Sequence, residues 1–220
     1  MIETGKRQIE VEIKEGISLS EHASVVKVQE GKIVGYAESE RDGLLIHADQ
    51  ISSGEVLSSL TGPPPTGETD TLKVCGILVK SLNAQGATWG SVVPGSGATD
   101  CTADCISDSK KKLHIQVVRA VSCVGLWREL ATKSSVQRQQ KVEQLAHELS
   151  ESIRRKSVKY PTPTKETLIL ALDANRLPEM VLTDVREAAT RLTRKARESS
   201  GFKEIWVVGP THELTYELCD

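Results

Sequence analysis

Residues 98–119 read ATDCTADCISDSKKKLHIQVVR. The stretch divides into two β-strands joined by a polar turn. In Thr99–Ser107, the residues Asp100, Thr102, Asp104 and Ile106 recur at every second position, and Cys101, Ala103 and Cys105 fall on the opposite face. Leu113–Arg119 alternates again, with His114, Gln116 and Val118 on one face and Ile115, Val117 and Arg119 on the other. The link Asp108–Lys112 is polar and turn-compatible. A hairpin centred on it sets Asp104 opposite Gln116 on one sheet face. An acid beside a carboxamide needs a partner there, because an unpaired buried polar group costs about 1–3 kcal/mol.

Downstream, the apolar pattern changes period. Gly125–Ala131 predicts a short helix, and Val136–Lys156 a longer one whose Val142, Leu145, Ala146, Leu149 and Ile153 share a face. Tyr160–Thr164 is a loop. Thr167–Leu172, TLILAL, is continuously apolar, as in a strand covered on both faces, and Asp173 ends it. Pro178 opens a helix with a stripe of Val181, Val185, Ala188, Ala189, Leu192 and Ala196, closed by Gly201. Glu204–Val208 is a further strand, and Leu214–Leu218 an edge strand.

Upstream, Trp89–Val93 is a short strand stopped by Pro94–Gly97. Before it, Leu72, Cys75, Leu78, Val79 and Leu82 recur at helical spacing, with Thr69 or Asp70 as cap and Gly86 as stop. Thr61–Gly67, TGPPPTG, enters neither a helix interior nor a central strand. It marks a linker, 61–67, between a β-rich N-terminal module, 1–60, and an α/β core, 68–220. In the module, Gln8–Ile13, Ser24–Gln29, Ile33–Ala37 and Gly43–Ala48 read as strands, and Glu55–Leu60 as one helical turn.

Composition narrows the function. The chain has 220 residues and a formal net charge of −2, so nucleic-acid binding would need a local basic patch. With a single phenylalanine, the core is built of Val, Leu, Ile and Ala. The N-terminus lacks a signal-peptide apolar run, no stretch approaches membrane-spanning length, and the five cysteines form no paired framework. The expected location is cytoplasmic, with reduced thiols and no membrane partner. Cys101 and Cys105 lie roughly 13 Å apart along a strand, too far to share a zinc ion at about 2.3 Å from each sulfur. They read as small buried apolar residues.

From Thr69 the order is helix, three strands, helix, strand, helix, strand. This resembles the core of the PD-(D/E)XK, or restriction-endonuclease-like, superfamily: a mixed sheet flanked by helices, in αβββαβ order. The resemblance covers roughly Thr69–Val208. It implies an aspartate on the second core strand and an acid and a lysine on the third, which bind Mg²⁺ and activate water against a phosphodiester. Asp104 stands at the aspartate's position, Gln116 at the second acid's and Val118 at the lysine's. Gln offers a hard cation one neutral oxygen, and Val118 cannot stabilise charge on a phosphate. Asp100, Glu68 and Asp173 are candidate replacements.

The leading expectation is a nuclease-like fold with a lost or reduced active site. It would act without a cofactor as a binding or scaffold subunit in nucleic-acid processing or defence, with a protein partner on the N-terminal module. The alternative is an active Mg²⁺-dependent nuclease using Asp104 and Gln116, with Asp104 and Asp100 on the metal. A third reading is a protein-binding module without nucleic acid. Candidate phosphate contacts are Arg186, Arg191, Arg194 and Lys195 on one helix, and Arg154, Arg155 and Lys156 on another. His114 is a candidate acid or base, and Asp173 a cap of the loop that follows it. Asp104 facing solvent, far from Arg186–Arg197, would count against both nucleic-acid readings.

Overall fold

The computed structural model describes the backbone of residues 23–29, 32–41, 44–52, 55–62, 71–120, 124–175, 177 and 183–218, and the side chains of 55–62, 71–120, 128–175, 177 and 185–218. In chain order the elements are β1 (Ala23–Gln29), β2 (Lys32–Arg41), β3 (Leu44–Ser52), β4 (Glu55–Thr61), α1 (Thr71–Ala84), β5 (Trp89–Pro94), β6 (Cys101–Cys105) and β7 (Lys112–Arg119). They continue as α2 (Val124–Lys133), β8 (Ser135–Lys141), α3 (Val142–Ser157), α4 (Thr162–Lys165), β9 (Ile169–Asp173), α5 (Thr183–Glu198), β10 (Glu204–Val208) and β11 (Tyr216–Glu217). The expected strand Gln8–Ile13, the caps Thr69 and Asp70, Glu68 and the helix start at Pro178 lie outside the described residues.

The strands form two sheets. The second is mixed, in the order β11-β10-β9-β7-β6-β5. The neighbours β5, β6 and β7 run antiparallel, whereas β9 runs parallel to both β7 and β10. The fold is therefore α/β, with a mixed sheet flanked by helices. All five residues of β9 are buried, as a continuously apolar run between two strand neighbours requires. Its alternation feeds two cores. Ile169 and Ala171 pack with Val74, Cys75, Leu78 and Val79 of α1, while Leu170 and Leu172 pack with α3 and α5 through Leu145, Leu149, Ile153, Val185 and Ala189.

Turns follow glycine where only glycine suits. Gly86 ends α1 at φ +100° and Gly201 follows α5 at φ +78°. The buried stripe of α5 differs by one position from the expected one. Thr193 is fully buried, donating its hydroxyl to Thr190 O, and Leu192 is 41% exposed. Burying Thr193 costs little, because the helix's own carbonyl satisfies it.

Two upstream expectations are corrected. Glu55–Leu60 is not a helical turn but β4, with Val56, Ser58 and Leu60 buried at period two. Likewise Val136–Lys141 is not the start of a long helix. It belongs to β8, which pairs antiparallel with β4 from Glu55↔Lys141 to Thr61↔Ser135. The helix begins at Val142, where Gln144 Oε1 accepts the Lys141 N–H at 3.1 Å. The first sheet runs β1-β2-β3-β4-β8, so its last strand comes from beyond the proline linker. Val56 joins the same core as Val142, Leu145 and Leu149. The boundary at 61–67 is thus bridged by strand pairing and by packing.

Candidate functional site

The hairpin of β6 and β7 pairs Cys101↔Ile115, Thr102↔His114, Ala103↔Leu113 and Asp104↔Lys112. The expected register, Asp104 opposite Gln116, is corrected by four residues. The cause is local. The turn closes on Asp108, whose carbonyl accepts the Lys111 N–H at 2.9 Å and whose Oδ1 accepts the Lys110 N–H at 3.1 Å, so the Cys105 N–H meets Lys111 O at 3.0 Å and the hairpin is centred on Asp108 rather than on Lys110. An even slip keeps every side chain on its face. Asp100 therefore takes the place beside Gln116 that the sequence suggested for Asp104. Asp104 itself faces solvent, with its side chain 64% exposed, and pairs with Lys112 Nζ at 3.3 Å. It is neither a buried acid nor a partner of Gln116. The solvent-facing half of the condition set against the nucleic-acid readings is met, and those readings now rest on Asp100.

Gln116 is 3% exposed, and both polar atoms of its amide are hydrogen-bonded. Its Nε2 donates to Asp100 Oδ2 and, at 3.0 Å, to Val117 O, and its Oε1 accepts the Tyr160 hydroxyl at 2.7 Å. Asp100 Oδ2 also accepts the Val117 N–H at 2.8 Å. These bonds assign the amide without ambiguity, because a flipped carboxamide would set oxygen against the carboxylate. Tyr160 comes from the loop after α3. Lys156, in the last turn of α3, lies half-buried in the field of the Asp100 carboxylate. Desolvation lowers its pKa, and the Asp100 charge opposes that shift. The unit is a clasp: one exposed carboxylate, one buried carboxamide, a phenol and a cation.

The clasp does not fit Mg²⁺. A hard divalent ion prefers several anionic oxygens, and this set supplies one carboxylate, with the amide oxygen committed to Tyr160. Among the described residues no group of three or more His, Cys, Asp or Glu side chains converges to hold a metal. The other candidates lie apart. Asp173 aligns with Arg119, three residues beyond Gln116 along β7, and its Oδ1 caps the Asn175 N–H at 3.2 Å. His114 is half-buried opposite Thr102. Val118 packs against the α3–α5 core.

The basic residues are partly gathered and partly dispersed. α5 connects the parallel neighbours β9 and β10, so it ends where β10 begins. α3 runs the same way: Ser152 Oγ donates to Ala120 O at 2.8 Å, past the end of β7, and Tyr160 after the helix reaches back to Gln116. The two C-termini meet through Lys165. Its Nζ donates to Ser157 O at 3.0 Å, its Cε lies 3.2 Å from where a Cβ on Gly201 would stand, and its carbonyl accepts the Lys203 N–H. Arg154, Arg155 and Lys156 thus lie in the C-terminal turns of α3, and Arg194 and Lys195 in those of α5, two helix ends that both reach Lys165, with Tyr160 of the clasp following the first. Cations there also suit two helix dipoles. Arg186 belongs to the opposite end of α5, its guanidinium 4.3 Å from the centroid of the Tyr216 ring. Arg191 is exposed between the two ends.

Sequence reasoning missed Tyr160 and undervalued Lys156 as a neighbour of the acid. Tyr160 carried little signal, because the loop Lys159–Thr164 has no periodicity that would place its hydroxyl against β7. Cys105 also departs from the expected inert thiol. It is half-exposed, and hydrogen bonds from Ser107 and Thr88 lower its pKa to about 7. Cys101 is buried, as expected. No protein-family model, curated protein or solved structure matches the chain.

Proposed function

We propose that this chain is a nuclease-like fold that binds nucleic acid through a basic rim and has exchanged its metal site for a hydrogen-bonded clasp. The observation that carries the reading is the fully engaged amide donor and the Tyr160-bonded oxygen of buried Gln116. Every polar atom of that side chain is spent on Asp100, Val117 and Tyr160. The strand order supports the fold half of the proposal: three antiparallel strands after a helix, then parallel strands joined through helices, is what the restriction-endonuclease-like resemblance implies. The rim supports the binding half. Arg154, Arg155, Lys156, Lys159, Lys165, Arg194 and Lys195 surround the clasp end of a chain whose net charge is −2, so the positive potential is local. A protein-binding face is less well supported. Among the described residues, the exposed large apolar side chains Leu72, Val93, Ile106, Val158 and Leu192 stand on five separate segments of the chain.

The test combines binding and cleavage on the full chain. Labelled duplex DNA is titrated at several salt concentrations, and the same duplex is incubated with Mg²⁺ or Mn²⁺. Binding whose log K falls steeply with log salt, weakened by Arg155→Glu and Lys195→Glu together and accompanied by no cleavage, is the expected result. Cleavage abolished by Asp100→Ala would replace this reading with the active nuclease. Absence of binding at low salt would leave the protein-binding module.

A further inference from the structure

We propose that Ser157 is a phosphoacceptor for a basophilic serine/threonine protein kinase, and that its phosphate silences the basic rim; the second half rests on the rim's reading as a polyanion site. The sequence around it is Arg154-Arg155-Lys156-Ser157-Val158, two arginines at −3 and −2 and an aliphatic residue at +1. Kinases that read substrates by charge place acidic groups against such arginines. The structure leaves the segment open to that recognition. Arg154 and Arg155 are exposed, Val158 is 77% exposed and Ser157 is half-exposed as the last residue of α3. Ser157 Oγ donates to Arg154 O at 2.8 Å, within its own turn. The Arg154–Glu151 ion pair is an exposed i,i+3 contact, which opposes release weakly. Extending the segment into a kinase groove opens this last turn and breaks the Lys165 Nζ–Ser157 O and Arg155–Ser152 Oγ contacts, a local opening that leaves Ile153 and the core before it in place.

The step uses ATP. Ser157 Oγ attacks the γ-phosphorus, and the new O–P bond forms as the bond from that phosphorus to the bridging oxygen breaks. ADP leaves with the electron pair, and the hydroxyl proton passes to the kinase's base. The product carries a charge of roughly −1.5 to −2 at neutral pH. It would stand among Lys156, Lys159 and Lys165, whose Nζ already lies 3.0 Å from Ser157 O. The phosphate takes up cations that a polyanion would otherwise contact, and at a helix C-terminus it also repels the dipole and loosens the last turn. Lys156 is the route to the clasp, because its ammonium is shared between that phosphate and Asp100.

The experiment treats the folded full chain with the catalytic domain of a basophilic kinase and Mg-ATP, maps phosphate by peptide mass spectrometry, and measures duplex binding before and after. Phosphate on Ser157, none on that peptide in Ser157→Ala, and at least about tenfold weaker binding with a salt slope shallower by about 2 is the expected outcome. Failure of the folded chain to take phosphate at Ser157 overturns the proposal. Phosphorylation there that leaves affinity and slope unchanged overturns the silencing half. If the unmodified chain does not bind duplex, the rim reading fails, and the mass map alone upholds or overturns Ser157 as acceptor.

Discussion

At the scale of single residues, Gln116 is neutral where a carboxylate would be repelled. Gln116→Glu puts a second negative charge against Asp100 in a buried position and removes the donor that Asp100 Oδ2 accepts. The introduced carboxyl would have its folded pKa raised above the unfolded value near 4.3. A raised carboxyl pKa costs stability above the unfolded value, so the loss is fully present at neutral pH and vanishes as pH falls below about 4. We expect a loss of about 2 kcal/mol or more at pH 7 by urea unfolding, partly recovered by millimolar Mg²⁺ in the variant and unaffected by Mg²⁺ in the native chain. A native chain stabilised by Mg²⁺ would contradict the clasp. Cys105 gives a second test. Its pKa of about 7, down from 9.0, comes chiefly from the Ser107 hydroxyl and then from Thr88. Alkylation of the Cys105 peptide should therefore show a midpoint near pH 7, and Ser107→Ala should move it upward. The depressed thiol pKa also favours folding above pH 9 and loses that contribution as pH falls through 7.

Among elements, β9 carries the fold. Leu170 is fully buried between β7 and β10 and contributes to the α3–α5 core. Leu170→Ala should cost about 2–5 kcal/mol, read from denaturant midpoints with an unchanged slope, because the site is enclosed on every side and cannot collapse. The continuous run TLILAL made that strand legible, and the stripe Val142, Leu145, Ala146, Leu149 and Ile153 did the same for α3. What was not legible is informative. β8 reads SVQRQQK, with few apolar residues, and follows directly into a strong helical stripe, so local periodicity extended the helix backward. Its partner β4 lies 74 residues away in the chain from Thr61 to Ser135, and a pairing at that separation leaves no local mark. The slip in the β6–β7 hairpin has a local origin instead. Alternation fixes which face a residue takes, and Asp100, Asp104 and Gln116 all have the expected face. It does not fix register, which the turn at Asp108 sets through its bonds to Lys110 and Lys111.

For the molecule as a whole, the decisive contact crosses the linker. All seven residues of β4 pair with β8, and Val56 and Leu60 are fully exchanged from water into the interior. A fragment spanning 71–220 would keep the entire mixed sheet and its helices, and a division at the prolines predicts that it folds by itself. The structure predicts otherwise. Without β4, the strand β8 loses its neighbour, and Val136, buried against Leu60's side of the sheet, is exposed. The core around Leu145 and Leu149 loses Val56, leaving a cavity that costs on the scale of a large-to-small core substitution, about 2–4 kcal/mol. The bare edge of β8 would then be a template for pairing with other chains. The fragment should melt at least about 5 °C below the full chain and elute as a concentration-dependent oligomer on size exclusion. A monomeric fragment with the full chain's melting temperature would show instead that the mixed sheet is autonomous. In that case the β4–β8 pairing would serve the N-terminal sheet alone.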